Sequence, residues 1–141
     1  MKERIVYMVS GHRDLTQEEF NRHYQDRILE ALAWSGSDFV LGDAPGADKM
    51  AQELLLEHLD PGSVRVRVFH IGDSPRFNVG AFPSIKVDGT DQFVKDSAMT
   101  MLSDLDILWV RKRNGGTYEN QIRRILKDLN HHQKQTLEQW S

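Results

Sequence analysis

Four short segments of this chain carry side chains able to work together on a phosphorylated ligand. The first, Ser10-Gly11-His12-Arg13-Asp14, offers backbone N–H groups around Gly11, with Arg13 able to fork onto a phosphate. The second, Gly42-Asp43-Ala44-Pro45-Gly46-Ala47-Asp48, sets two carboxylates around two glycines. Asp43 or Asp48 could accept hydrogen bonds from ribose hydroxyls, as acidic residues do in nucleotide-binding folds. The third places Lys95 on a helical stretch, and the fourth is Asn114-Gly115-Gly116-Thr117 with Glu119 and Asn120 just beyond it. Each residue also has an ordinary structural explanation. Arg13 could pair with Asp14 at the surface, and His12 could be a plain loop histidine. Asp48 could simply favour a helix start, Lys95 could lie on a solvated face, and Thr117 could cap a helix.

What raises the functional reading is the position of the turns. An apolar run precedes each glycine turn: Ile5–Val9, Phe39–Leu41 and Ile107–Val110. A helical pattern follows each one. In a parallel sheet all three turns would lie at the carboxyl ends of strands, where N–H groups and helix N-termini form a crevice suited to anions. The second turn lacks the Lys-Ser/Thr of a P-loop, so magnesium-dependent ATP hydrolysis is disfavoured.

The remaining elements are read from periodicity. Thr16-Gln17-Glu18-Glu19 is a capping box ahead of a helix with Phe20, Tyr24, Ile28, Ala31 and Leu32 inward. A helix from about Ala47 to Leu59 turns Met50, Leu54, Leu55 and Leu59 inward. The alternation in Val64–Val68 predicts a strand at a sheet edge or with one wet face. Residues 72–89 show no clear periodicity, which in a compact domain marks a functional or mobile loop. The pattern predicts a helix over 90–103 with Phe93, Val94, Met101 and Leu102 inward, and a strand over 106–110. A last helix, capped by Thr117, carries Ile122, Ile125, Leu126, Leu129, Leu137 and Trp140 along one stripe. Alternating strands and helices predict one α/β domain over 1–141. Its form is a Rossmann-like three-layer sandwich with a mostly parallel sheet in the order 3-2-1-4-5.

The bulk composition narrows the field. The chain has 141 residues, a net charge of −3 and no cysteine. This excludes disulfides, thiolate nucleophiles and cysteine metal sites, and argues against an extended nucleic-acid interface. The histidines show no grouping with metal-ligand spacing, so neither a metal nor a resident cofactor is expected. With no signal peptide and no long apolar stretch, the expectation is a cytoplasmic protein without membrane contact.

The order of the motifs resembles the SLOG superfamily: Ser-Gly-His-Arg, then Gly-Asp-Ala-Pro-Gly-Ala-Asp-Lys-Met-Ala, Lys-Asp-x-x-Met, Ser-Asp and Gly-Gly-Thr. Within it the chain is similar to small bacterial proteins of the YspA/YpsA type, related to the Lonely Guy phosphoribohydrolases and the nucleoside deoxyribosyltransferases. The resemblance covers about Ile5 to Ile125. It implies a nucleotide-derived ligand at the rim and, since related enzymes are commonly dimers, a homodimer. In those enzymes Gly-Thr-x-x-Glu supplies the carboxylate that works at an N-glycosidic bond. Here that register places Asn120 at the glutamate position, with Glu119 one residue early and about 100° round the helix. Lys95 stands where the family has arginine, which keeps the charge but loses the fork.

Three expectations follow. The foremost is binding or sensing of a nucleotide-like phosphate ligand through Ser10, Gly11, His12, Arg13, Gly42, Asp43, Gly46, Asp48, Lys95, Gly115, Gly116, Thr117 and Asn120. The second is N-glycoside hydrolysis of a nucleoside monophosphate, with Glu119, Asp43 or Asp48 replacing the missing glutamate. The third is a protein-interaction module whose pocket is vestigial.

Overall fold

The computed structural model describes residues 3–140, with side chains described through residue 134. Five strands form one all-parallel sheet: β1 (Ile5–Val9), β2 (Ser37–Leu41), β3 (Val66–His70), β4 (Ser84–Lys86) and β5 (Leu105–Ile107). Their order is β4-β3-β2-β1-β5. Helices cover the sheet on both sides, giving the Rossmann-like α/β sandwich. The four strands legible in the sequence keep their expected neighbours. The alternating segment at 64–70 is not an edge, however, because β4 pairs along it with Val68 opposite Ser84 and His70 opposite Lys86. This fifth strand arises inside the stretch that shows no periodicity. Three residues are too few to display an alternation. The expected strand over 106–110 is also shorter and earlier, ending at Ile107.

One helical layer follows the sequence closely. The capping box forms as expected, with the Glu19 N–H donating to Thr16 Oγ1 at 3.1 Å and the Thr16 N–H donating to Glu19 Oε1 at 3.0 Å. It opens α1 (Gln17–Phe20), which continues through a π-helical turn (Asn21–Gln25) into α2 (Asp26–Leu32). Phe20, Tyr24, Ile28 and Ala31 are buried there, in one core with Ala47, Ala51, Leu54 and Leu55 of α3 (Ala47–His58) and Val9, Phe39, Leu41 and Val68 of the sheet.

The other layer reverses the expectation. In α4 (Gln92–Leu102) the buried residues are Lys95, Met99 and Thr100, whereas Phe93, Val94, Met101 and Leu102 are exposed. In α5 (Gly115–Trp140) Thr117, Asn120 and Arg124 are buried while Ile122, Ile125, Leu126 and Leu129 are exposed. Leu137 and Trp140 lie outside the residues whose side chains are described. Thr117 falls within the first turn of α5 and is not its N-cap. The physical reason lies in what these helices cover. The sheet on this side offers a small apolar cluster of Val6, Met8, Val40 and Phe69, and Met99 alone reaches it from α4 as a fully buried apolar side chain. The rest of the inward surface meets polar groups. Arg124 donates to the Ser103 carbonyl at 2.7 Å and pairs with Asp106 at 3.0 Å. No helix among the described residues is long and apolar enough to cross a membrane.

Candidate functional site

The carboxyl ends of β1 and β2 are locked together by backbone contact between their turns. The Ala47 N–H donates to the His12 carbonyl at 3.1 Å. Gly46 sits at φ +78°, and a Cβ there would come within 2.4 Å of the His12 and Arg13 carbonyl oxygens. A Cβ on Gly11 would meet the Tyr24 hydroxyl at 2.3 Å. These two glycines are therefore needed for the turns to pack and need no ligand to explain them. The buried Tyr24 hydroxyl ties in the third turn, donating to the Ser10 carbonyl at 2.8 Å and accepting from the Trp109 N–H at 3.0 Å. Burial pushes this phenol up to about 12, so it remains a donor throughout the neutral range.

These contacts, with α4 and α5, enclose a cleft of about 380 Å³ at the rim of the sheet. All three glycine turns reach it. Ser10, Gly11, His12 and Arg13 come from the first, Ala44 and Asp48 from the second, and Gly116, Thr117 and Asn120 from the third. Gln92, Lys95, Asp96 and Met99 of α4 complete the wall.

The charges in and behind this cleft are arranged in two groups. Lys95, only 2% exposed, pairs with the Asp43 carboxylate at 3.2 Å. Arg76 approaches Asp43 from the 72–83 loop, through its guanidinium at 3.0 Å and its backbone N–H at 2.9 Å. Burial works against the charge on Asp43, but the Arg76 hydrogen bonds and the Lys95 charge outweigh it and hold the carboxyl down to about 2. Asp48 lies closer to the cleft. It accepts from the Ala44 N–H at 3.1 Å, yet burial dominates and pushes it up to about 6 despite the nearby Lys95. In the second group, Asn120 hydrogen-bonds Asp96 and accepts from Arg123 through Oδ1. Burial raises Asp96 as well, against the pull of Lys95 and Arg123.

Two polar groups of the first turn are left for other partners. The Ser10 hydroxyl is buried without a hydrogen bond among the described residues. Arg13 is exposed on the cleft wall, and the neighbouring Asp14 carboxylate is taken by Arg111. His12 stands between the cleft and a hollow of about 270 Å³ lined by Asp14, Arg111, Lys112, Asn114 and Gly115. Burial, then the Arg111 charge, lower its proton affinity and so favour the neutral ring.

Nine of the expected ligand residues thus converge on the cleft, and four do not. Gly42 lies behind it, its carbonyl accepting from Gln52 at 3.1 Å. Asp43 is a buried counter-ion behind Lys95. Gly46 is spent on turn packing, and Gly115 faces the neighbouring hollow. Of the expected catalytic carboxylates, Asp48 alone lines the cleft; Glu119 is exposed and pairs with Arg123 at 3.6 Å. Gln92, Asp96, Met99 and Ala44 were missed. The first three follow i, i+4, i+7 spacing, so assigning the stripe nearest Lys95 to the cleft would have found them.

No family model, curated protein or solved structure matches the chain.

Proposed function

We propose that the chain is a binding or sensing domain for a phosphate-bearing, nucleotide-class ligand held in the cleft at the carboxyl ends of β1 and β2. The observation that carries this reading is the buried Ser10 hydroxyl, which lacks a partner among the described residues and belongs to a residue that lines the cleft together with Arg13. A buried hydroxyl left unpaired costs about 1–3 kcal/mol, and a phosphate oxygen reaching it would recover that cost. Arg13 would supply the charge, with Gly116 and Thr117 at the first turn of α5 beside it. Asn120 favours binding over glycosidase chemistry. Its amide serves Asp96 and Arg123 at once, whereas a glutamate at this position would set two carboxylates against each other. The SLOG resemblance enters as support for the nucleotide class.

A thermal-shift series with nucleoside mono- and diphosphates, ADP-ribose and cyclic dinucleotides tests the proposal. A ligand at a hundred times its dissociation constant adds about 2.7 kcal/mol of stability. Absence of a shift across the whole series would overturn it. Arg13→Ala should weaken whichever phosphate ligand binds by roughly tenfold, the order expected from losing one charge-assisted hydrogen bond; unchanged affinity removes Arg13 from the site.

One observation favours a second reading, N-glycoside hydrolysis of a nucleoside monophosphate. Asp48 lines the cleft and titrates near pH 6, where a carboxyl can deliver or accept a proton. Release of free base that disappears in Asp48→Asn would support it. If no nucleoside monophosphate yields free base, the reading falls.

A further inference from the structure

We infer that a phosphate enters this cleft together with a proton, which the carboxyls of Asp48 and Asp96 take up. The inference rests on the ligand reading above and adds its regulation: binding tightens in acid and weakens in alkali. It starts from a count of charge. Among the described residues that line the cleft, the full cations are Arg13 and Lys95 and the carboxyls are Asp48 and Asp96. Lys95 already gives its ion pair to Asp43 at 3.2 Å, and Arg76 reaches the same carboxylate at 3.0 Å. Of those lining cations, Arg13 is therefore the one left to answer an arriving anion. A phosphate with two negative charges, or two phosphates with one each, would meet that single cation and two carboxylates.

The two carboxyls stand where the anion must come. A Cβ added to Gly116 would lie 3.9 Å from Asp96 Oδ2, which sets this carboxyl beside the first turn of α5. A Cβ added to Gly42 would lie 2.6 Å from Asp48 Oδ2 and 3.0 Å from Lys95 Nζ, so the other carboxyl and the lysine crowd one glycine. Asp48 accepts from the Ala44 N–H at 3.1 Å, and Asp96 accepts from the Asn120 amide. A neutral carboxyl can keep such a bond through one oxygen while the other carries a proton drawn from solvent. The protonated acid is then a donor, so protonation turns each group from repelling a phosphate to hydrogen-bonding it.

The surroundings already lean towards the neutral forms. Burial is the largest influence on both carboxyls and raises both, bringing Asp48 up to about 6. Lys95 pulls against it at both sites, joined by Arg123 at Asp96. Asp96 and Asp43 push Asp48 further up, and Glu119 does the same to Asp96. Tyr24 faces Asp48 as a neutral phenol, and Arg76 acts from beyond Asp43. An anion set among these groups adds to the raising side at both carboxyls. By linkage, whatever raises them is bound more tightly when they are protonated. Affinity is therefore full below pH 6, where free Asp48 holds its proton, and falls as pH rises from 6 towards the higher value of the bound state.

Titration calorimetry on the full chain at pH 7, repeated in two buffers of different ionisation enthalpy, counts the protons taken up. Inorganic sulfate and ADP-ribose are the probes, because neither takes up a proton itself in the neutral range. A phosphate monoester, with a second ionisation at about pH 6, would do so. The wild type should gain close to one proton per ligand and bind roughly tenfold more weakly at pH 8 than at pH 6. The double variant Asp48→Asn, Asp96→Asn should bind without net uptake. Binding by the wild type with no uptake overturns the inference and leaves the ligand reading intact. Uptake that survives both substitutions gives the proton to His12, which lines the same cleft, and overturns the assignment to the carboxyls. Should the variants misfold, the count on the wild type still decides. Binding of neither probe at any pH from 5 to 8 overturns the inference too, while the ligand reading then stands or falls with the thermal-shift series.

Discussion

The two faces of the sheet are covered by helices that bury opposite kinds of side chain. On one face α1, α2 and α3 turn Phe20, Tyr24, Ile28, Leu54 and Leu55 inward, and amphipathic spacing identifies the core correctly. On the other, α4 and α5 bury Lys95, Thr117, Asn120 and Arg124 and leave a comparable apolar stripe outside. Both layers consist of well-patterned helices. The difference teaches that an apolar stripe marks a surface that needs covering, without saying what covers it. In the first layer the cover is the sheet. In the second, the sheet rim presents Asp43, Ser103 and Asp106, and the polar faces of α4 and α5 answer them.

If polar contacts hold the second layer, removing one should cost as much as a core deletion. Asp43→Ala leaves the Lys95 ammonium buried without its counter-ion and should lose about 3–5 kcal/mol in urea unfolding. A loss under about 1 kcal/mol would mean that α4 is held by Met99 and its neighbours instead.

The layers can also be set against each other directly. Leu55→Ala, fully buried in α3, should lose about 2–5 kcal/mol. Leu126→Ala, on the outer stripe of α5, should change the unfolding of dilute protein by less than about 0.5 kcal/mol. Similar losses from the two would abolish the contrast.

A pH-dependent contrast concerns the seam between the layers, where Asp48 of α3 faces the charge of Lys95. Folding raises this carboxyl from 3.8 to about 6 through burial. The folded state therefore favours the protonated form. The stabilisation is fully present below about pH 4 and is lost as pH rises through 6. Asp48→Asn, free of that titration, should gain on the wild type between pH 4 and 8, by at most about 3 kcal/mol. A difference in melting temperature that does not vary with pH would show that Asp48 titrates as an ordinary surface carboxyl.

Much of the candidate site was legible in advance, because glycine turns after apolar runs are local signals. Ser10, Gly11, His12, Arg13 and Gly116 reach the cleft as their place at strand ends predicts. Asp43 was legible as a functional carboxylate but not as a counter-ion. Its partners Lys95 and Arg76 lie 52 and 33 residues away in the chain. Asp96 went unread because the apolar residues around it drew the inward face of α4 to the wrong side. The glycines were read as openings for ligand backbone contact, whereas Gly11 and Gly46 first serve the packing of one turn on another.

By itself, the sequence determined the parallel α/β arrangement, the capping box at Thr16, the first helical layer and the turns that reach the cleft. All of these depend on interactions within a few residues, or on one apolar face meeting one sheet. The tertiary structure decided which faces of α4 and α5 turn inward, where β4 pairs, and how Asp43, Asp48, Lys95, Asp96 and Asn120 divide the charge at the cleft. Those outcomes depend on which polar groups the sheet rim presents to each helix, and periodicity along one segment carries no information about the segment opposite.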